Sequence, residues 1–179
     1  MTINHYILIS VPPSVTTLQT TTPTQTYLLN NTRSQIYEYI TQNPGVQFRA
    51  VATALCLPVG LAEYHLGVLV RAGLLSFVRD GRYKRFFVSK RFSRREMAVI
   101  CLLRHKTAKR IFEVLLCKGE LSHCKLADEV AISSQALTWQ MKTLRRTRFV
   151  LEVNDGKKTI YSLDVESTPT LMKHLAVVS

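Results

Sequence analysis

The stretch Leu57–Val88 decides the fold, and it reads LPVGLAEYHLGVLVRAGLLSFVRDGRYKRFFV. Its first part has apolar residues at helical spacing, namely Ala62, Leu66 and Leu69. Gly73 then predicts a left-handed end to this helix, because glycine accepts a positive φ. Two β-prone runs follow, joined at Asp80-Gly81, which is a strong short-range signal for a hairpin. The stretch therefore predicts a helix that leads directly into a basic β-hairpin.

The same pattern returns 75 residues later in Ile132–Leu163, which reads ISSQALTWQMKTLRRTRFVLEVNDGKKTIYSL. The register needs no gap, and identical residues recur at this offset: Thr32 and Thr107, Ile36 and Ile111, Ala52 and Ala127, Leu69 and Leu144, and Asp80 and Asp155. A repeat without insertions indicates two copies of one structural unit. Its long period favours two whole domains over a solenoid of short units.

Length and charge limit the classes of function. The 179 residues are 46% apolar, which is enough for two small cores, and the net charge of +12 predicts a polyanionic partner. No run approaches the roughly 18 apolar residues that span a bilayer. The first eleven residues lack the cationic start and the cleavage pattern of a secretory signal. We expect no membrane contact, a cytoplasmic, nucleoid-associated location and four free cysteine thiols.

Composition and capping patterns divide the chain into five segments. Residues 1–30 have no Asp, Glu, Lys or Arg and are rich in Thr, which predicts a flexible N-terminal arm. The capping box Thr32–Gln35 opens the first domain, and a second box, Ser93–Glu96, opens a helix without a counterpart in the repeat. The predicted segments are the arm 1–30, domain 1 at 31–91, a linking helix at 92–105, domain 2 at 106–165 and a short C-terminal helix at 166–179.

Several motifs together resemble a known family. They are Asn43-Pro44-Gly45, Tyr64-His65-Leu66, Ala72-Gly73-Leu74, Arg79-Asp80-Gly81-Arg82 and Phe86-Phe87. In this combination residues 32–163 resemble winged helix-turn-helix transcriptional regulators of the ArsR/MarR kind, particularly the tandem forms common in archaea. The resemblance implies an α+β fold that is mainly α with small β-hairpin wings, and two winged helix-turn-helix domains in tandem. It also implies double-stranded DNA as the partner.

In that family the third helix of each domain enters the major groove. Carried over, the third helix of domain 2 offers hydroxyl, amide, aromatic and cationic side chains to the bases, from Ser134, Gln135, Thr138, Trp139 and Lys142. The alternative is an ordinary solvated helix face, with Trp139 packed against a neighbouring domain. The third helix of domain 1 departs from the pattern, since its residues supply almost no donors: Val59, Gly60, Ala62, Glu63 and Gly67. That apolar face suggests a protein partner instead.

The wings carry most of the charge. Residues 71–95 hold nine Lys or Arg against Asp80 alone, so nine minus one gives +8 in 25 residues. Such a density predicts a surface that clamps DNA phosphates. The predicted phosphate contacts are Arg79, Arg82, Lys84, Arg85, Lys157 and Lys158. The aromatic residues between these cations are expected to belong mostly to the core, namely Tyr83, Phe86 and Phe87.

The linking helix is apolar on nearly all sides, so it should form a domain or dimer interface through Met97, Ile100 and Leu103. We favour a homodimer, because one helix between two small domains would leave Ile100, Leu102 or Leu103 exposed.

Two rival functions remain open. One is a protein-interaction scaffold in a transcription or chromatin assembly. The other is a thiol or metal sensor, since Cys117, His123 and Cys124 lie close in sequence. Without a fourth ligand or a C-x-x-C pair the metal signal is weak, so we expect these thiols to be packed as small apolar groups. No phosphate loop, nucleophile elbow or carboxylate pair is present, which argues against an enzyme and against a bound cofactor.

Overall fold

The computed structural model describes residues 27–154, 156, 158–176 and 178. The predicted N-terminal arm lies outside the described residues up to residue 26. Asp155 and Lys157, near the tip of the second hairpin, also lie outside them.

Between residues 31 and 88, the first half contains three helices and a three-stranded antiparallel sheet. Its elements are α1 (Asn31–Gln42), β1 (Val46–Gln47), α2 (Phe48–Ala54), α3 (Val59–Arg71), β2 (Leu75–Asp80) and β3 (Tyr83–Val88). The strand order is β1-β3-β2. Asp80 pairs with Tyr83, so the two-residue turn is Gly81-Arg82 rather than Asp80-Gly81, and Gly81 has a φ of +59°. The predicted hairpin is present, with its turn displaced by one residue.

The second half repeats this order of elements after the linking helix α4 (Arg94–Leu103). Its elements are α5 (Lys106–Lys118), β4 (Leu121–Ser122), α6 (His123–Val130), α7 (Ser134–Arg145), β5 (Val150–Asn154), β6 (Thr159–Leu163) and α8 (Thr168–Leu175). The second sheet has the order β4-β6-β5, which matches the first. The chain therefore has the α+β class predicted for winged helix-turn-helix proteins.

Side-chain caps fix where three helices begin. Ser93 Oγ accepts from the Glu96 amide at 3.2 Å, and Glu96 Oε2 accepts from the Ser93 amide at 2.9 Å, so the predicted capping box of α4 is confirmed. Ser133 caps α7 with a single hydrogen bond, in which its Oγ accepts from the Ala136 amide at 3.2 Å. The capping box predicted at Thr32 is wrong, because α1 begins two residues earlier, where Asn30 Oδ1 caps it by accepting from Arg33 N.

The linking helix α4 is buried within the single chain. Ile100 is 0% exposed and Leu103 is 1% exposed, whereas Met97 and Leu102 are partly buried. Helix α8 packs along one side of α4, and Phe87 of β3 belongs to the same apolar cluster. The expectation that Ile100 and Leu103 would stay exposed is therefore wrong, because the C-terminal helix and the first hairpin both contribute to covering them.

Gly45 shows how closely α4 approaches the first half. A Cβ at this position would lie 2.8 Å from Ile100 Cγ2, and the φ of Gly45 is +75°. Only glycine satisfies both constraints without a shift of the surrounding atoms. The loop before β1 is thus pressed against the linking helix.

Among the described residues, no single helix is long and apolar enough to cross a bilayer. Helices α2 and α3 meet these criteria only when taken together, across a bend of 117°.

Candidate nucleic-acid interface

Helix α7 has one buried and one exposed face. The buried face comprises Leu137, Met141 and Leu144, which pack in the core of the second half. The exposed face contains all five residues predicted for base contacts, namely Ser134, Gln135, Thr138, Trp139 and Lys142. Trp139 is 67% exposed, so it is not packed against a neighbouring domain. The structure thus brings a hydroxyl, an amide, an indole and an ammonium group together on one accessible surface.

His123 ties the start of α7 to the second wing. Its Nε2 lies 2.9 Å from Ser134 Oγ and 3.2 Å from the Ser134 carbonyl oxygen, and its Nδ1 lies 3.2 Å from Tyr161 Oη. A carbonyl oxygen only accepts, so these contacts assign the proton to Nε2, and the Tyr161 hydroxyl then donates to Nδ1. Burial and the nearby Glu152 carboxylate raise the pKa of Tyr161, which keeps this hydroxyl protonated. The sequence pattern suggested His123 only as a metal ligand and did not predict this role.

A groove of about 570 Å³ separates α7 from the second hairpin. Polar side chains dominate its lining, including His123, Thr138, Lys142, Arg145, Glu152 and Thr159. Arg145 Nη1 lies 2.8 Å from Glu152 Oε2, and this ion pair joins the helix to strand β5. Thr138 Oγ1 donates to the Ser134 carbonyl oxygen at 2.9 Å, which leaves the Thr138 oxygen able to accept from a base or a water.

The predicted wing cations divide into two groups. Arg79, Arg82, Lys84 and Lys158 are exposed, and Lys157 lies outside the described residues. Arg85 is 4% exposed, which contradicts its predicted contact with DNA phosphates. Its Nε donates to Asp80 Oδ2 at 2.5 Å and its Nη1 donates to the Gly45 carbonyl oxygen at 3.2 Å. Arg85 therefore links the hairpin to the loop before β1 through hydrogen bonds.

Asp80, which is partly buried, and His105, which is exposed, complete a polar cluster around the buried Arg85. His105 Nε2 lies 2.7 Å from Asp80 Oδ2 and 3.3 Å from Arg85 Nη2. Burial by itself would raise the pKa of the Asp80 carboxyl, but the hydrogen bonds from Arg85 and His105 outweigh it and hold that pKa below its usual range. The cluster joins the first wing to the residues that follow α4.

The exposed face of α3 differs from that of α7. Val59, Leu61 and Tyr64 are 52%, 41% and 62% exposed. Ala62, which was grouped with this face in the sequence, is instead fully buried. The face offers apolar surface where α7 offers hydrogen-bonding groups.

The two cysteines near His123 are both exposed. The expectation that they pack as small apolar groups is therefore wrong, because Cys117 lies on the last turn of α5 and Cys124 on the first turn of α6, and both point away from the core. Within the part of the chain that the structure describes, no three His, Cys, Asp or Glu side chains are placed to hold a metal ion.

Residues 30–100 match the family HTH_HVO_0163_N, an N-terminal HTH domain. The match covers less than half of the chain and shows that its first half is similar to this HTH domain. The matched segment runs from the cap of α1 into α4 and includes the three helices and the hairpin described above.

Two known proteins are similar to the chain. It is 28% identical over 137 residues to an uncharacterised HTH-type transcriptional regulator of Methanocaldococcus jannaschii, and the match covers 76% of this chain. The chain spans only 34% of the length of that relative. FabT of Streptococcus pneumoniae, solved in complex with DNA, is 22% identical, with 64% of this chain and 74% of FabT covered. The TM-score of 0.30 is too low for this second likeness to carry an argument.

Proposed function

We propose that the chain is a DNA-binding transcriptional regulator that acts on double-stranded DNA. The proposal rests on the exposed polar face of α7, which is the third helix of the second half. The HTH family match of the first half and the similarity to an HTH-type transcriptional regulator support the same function. The proposal requires neither catalysis nor a cofactor, and it places the protein in the cytoplasm, at the nucleoid.

In this proposal α7 reads the bases in the major groove. Gln135 has the amide that pairs bidentately with adenine, and Lys142 has an ammonium group suited to guanine or to a phosphate. Ser134 and Thr138 supply hydroxyl groups, and Trp139 supplies an apolar surface for a thymine methyl group. The exposure of all five residues and the anchoring of Ser134 by His123 support this assignment.

The wings hold the phosphate backbone in the same proposal. The cations assigned to this role are Arg79, Arg82, Lys84, Lys157 and Lys158. The exposure of the four described members supports the assignment. Arg85 is left out, because its guanidinium is already bonded within the chain. These contacts position the protein on the duplex but carry no sequence information.

We keep the domain boundaries that were predicted from the sequence. They are domain 1 at 31–91, the linking helix at 92–105, domain 2 at 106–165 and the C-terminal helix at 166–179. The repeated order of elements on either side of α4 supports this division. A homodimer through α4 was expected because Ile100 and Leu103 would otherwise be exposed. Both residues are already buried in one chain, so this reason no longer holds. We therefore propose that α4 serves as an interface between the halves.

A salt series of duplex binding tests the function. If about six phosphates are contacted, log K should fall with log salt at a slope near −5, because each neutralised phosphate releases counterions. Arg79→Ala should reduce the slope by about one and weaken all sequences alike. Gln135→Ala should instead relax discrimination by roughly 1–3 kcal/mol at one base pair. Fluorescence anisotropy with labelled duplexes measures all three effects.

Arg110→Ala is the matched control, since it removes one exposed cation from α5 that has no assigned DNA contact. It should leave both the slope and the discrimination unchanged. Binding without salt dependence, or no duplex binding at low salt, would contradict the proposal. Equal losses on every sequence from Gln135→Ala and Arg79→Ala would contradict the division between reading and clamping.

The exposed apolar face of α3 favours a second candidate function, a protein-interaction scaffold in a transcription or chromatin assembly. Val59, Leu61 and Tyr64 form this face, and such a surface is more suited to a protein than to phosphates. If the chain is a scaffold, it should bind a protein partner and no DNA duplex. The double change Leu61→Ser with Tyr64→Ser should then abolish the binding of that partner. Duplex binding with the expected salt slope would favour the regulator instead.

A further inference from the structure

The two hairpins differ in what covers the side that points away from the third helix of their half. Alternate side chains of a strand point to opposite sides of the sheet. In the first hairpin, the side opposite α3 has the cross-strand pairs Ser76 with Phe87 and Val78 with Arg85. Phe87 is 0% exposed in the cluster that contains Ile100, and Val78 packs against the same cluster. The linking helix α4 therefore covers this side of the first hairpin.

The equivalent side of the second hairpin is open. The residues 75 positions later form the pairs Leu151 with Ser162 and Val153 with Ile160, and we call these four residues the outer face. Leu151 is 47% exposed and Val153 is 59% exposed. Helix α8, which follows the second hairpin, packs against α4. The described part of the chain thus leaves much of the outer face exposed to solvent.

The outer face is apolar and uncharged. Arg85, which donates to Asp80 and Gly45 in the first hairpin, is replaced by Ile160 at the equivalent position. The exposed side chains of Leu151 and Val153 therefore adjoin a third apolar residue and no cation that would bind a phosphate. A contiguous exposed apolar surface of this kind is typical of a contact with protein.

The outer face is also complementary to itself. In the pair nearer the base of the hairpin, Leu151 is large and Ser162 is small. A twofold axis parallel to the strands would place Leu151 over the partner's Ser162, and Val153 over the partner's Ile160. Large side chains that face small ones interdigitate when two sheets pack face to face. Because the four residues are uncharged, two copies would meet in these rows without like charges opposed.

We propose that a second copy of this chain binds the outer face, in a homodimer whose twofold axis runs parallel to β5 and β6. Each contact is then made twice, as in every twofold interface. The tips of the two second hairpins point in the same direction in this arrangement, so both can approach one duplex. Lys158 precedes β6 and lies outside the two rows, so the dimer leaves it free for the phosphate contact assigned above.

Sedimentation equilibrium of the full chain over a concentration series, without DNA, tests the proposal. The wild type should pass from monomer to dimer as its concentration rises. Val153→Asp should weaken the dimer at least roughly tenfold, because the new carboxylate would be buried against the partner's Ile160. The thermal midpoint of a dilute sample should stay nearly unchanged, since residue 153 is exposed within one chain.

An exchange of side chains tests the axis. Leu151→Ser alone should weaken the dimer by leaving a gap over the partner's Ser162. Ser162→Leu alone should weaken it by opposing two leucines. The double change Leu151→Ser with Ser162→Leu exchanges large and small on both copies, so it should restore the dimer. Such a restoration separates this contact from unspecific apolar association.

Val59→Asp is the matched control, because Val59 is 52% exposed on α3 and lies outside the outer face. It should leave the dissociation constant of the dimer unaltered. A wild type that is monomeric at every concentration, or a dimer that survives Val153→Asp, would overturn the proposal. Equal weakening by Val59→Asp, or a double change that fails to restore the dimer, would also overturn it. Because no DNA is present, these outcomes are independent of duplex binding.

Discussion

Lys84 and Arg85 are adjacent cations on β3, yet their surroundings differ completely. Lys84 is exposed, whereas Arg85 is 4% exposed and donates to Asp80 and to the Gly45 carbonyl oxygen. Arg85 is separated from Gly45 by 40 positions and from His105 by 20. Such distant partners cannot be inferred from the basic run itself, so the sequence predicted a common surface role for both residues.

We predict that Asp80→Asn lowers the free energy of unfolding by about 1–3 kcal/mol, since it leaves the buried Arg85 guanidinium without its counter-charge. The pKa of Asp80 is lowered in the folded chain, so its contribution is present at neutral pH and is lost as the pH falls below its usual value near 3.8. Urea unfolding against pH measures the loss. The neighbouring change Lys84→Ala should alter stability by less than about 0.5 kcal/mol, and an equal effect would contradict the buried role of Arg85.

At the scale of elements, local patterns were the most informative. The helix that leads into a hairpin and the capping box Ser93–Glu96 are both present as predicted, because hydrophobic spacing and a Ser cap are local signals. The strands β1 and β4 were missed, since two residues are too few for an alternating pattern. All five predicted base contacts of α7 proved exposed, but His123, which anchors them, was not foreseen because its partner Tyr161 is 38 residues away.

Glu96 combines two roles at the start of α4. It completes the capping box with Ser93, and its Oε1 lies 2.8 Å from Lys173 Nζ and 3.2 Å from His174 Nε2 on α8. The hydrogen bond from Lys173 is the largest cause that lowers the pKa of Glu96 to about 2, followed by the bond from the Ser93 backbone. One carboxylate therefore fixes both the beginning of the linking helix and the position of the last helix.

We predict that Glu96→Gln lowers the free energy of unfolding by about 1 kcal/mol, the usual value of a helix cap with a partly exposed ion pair. A lowered folded pKa means that this stabilisation is present above pH 4.5 and is lost as the pH falls towards 2. The variant should therefore show a shallower loss of stability in that pH range, measured by urea unfolding. Glu113→Gln, which removes a carboxylate from an exposed pair with Arg110, should have little effect. Identical pH profiles for Glu96→Gln and the wild type would refute the assignment.

At the scale of the whole molecule, the internal repeat predicted two similar halves. It did not predict how the two halves differ or how they pack. Periodicity identified α4 as apolar on several sides and could not say what covers it. Helix α8 and the loop at Gly45 both contact α4, and both contacts join residues far apart in sequence.

We predict that Ile100→Val lowers the free energy of unfolding by about 0.5–1.5 kcal/mol and leaves the molar mass unchanged, because Ile100 is buried inside one chain. Urea unfolding and light scattering over a dilution series measure the two quantities. Met172→Ala, at a residue that is 60% exposed on α8, should change neither quantity measurably. The hypothesis of a homodimer through α4 would be supported instead if the wild type were a dimer and Ile100→Val dissociated it without loss of stability.

The constant offset of 75 positions also has an evolutionary consequence. A duplicated domain relieves one copy of selection for its original contacts, and the surviving copy keeps the protein viable while the other changes. Phe48 and His123 occupy equivalent positions in the two halves, as do Phe86 and Tyr161, and the residue type differs in both cases. The order of the strands in the two sheets is nevertheless the same. The duplication thus supplied a ready scaffold in which new specificity can arise through side-chain exchange alone, without insertion or deletion.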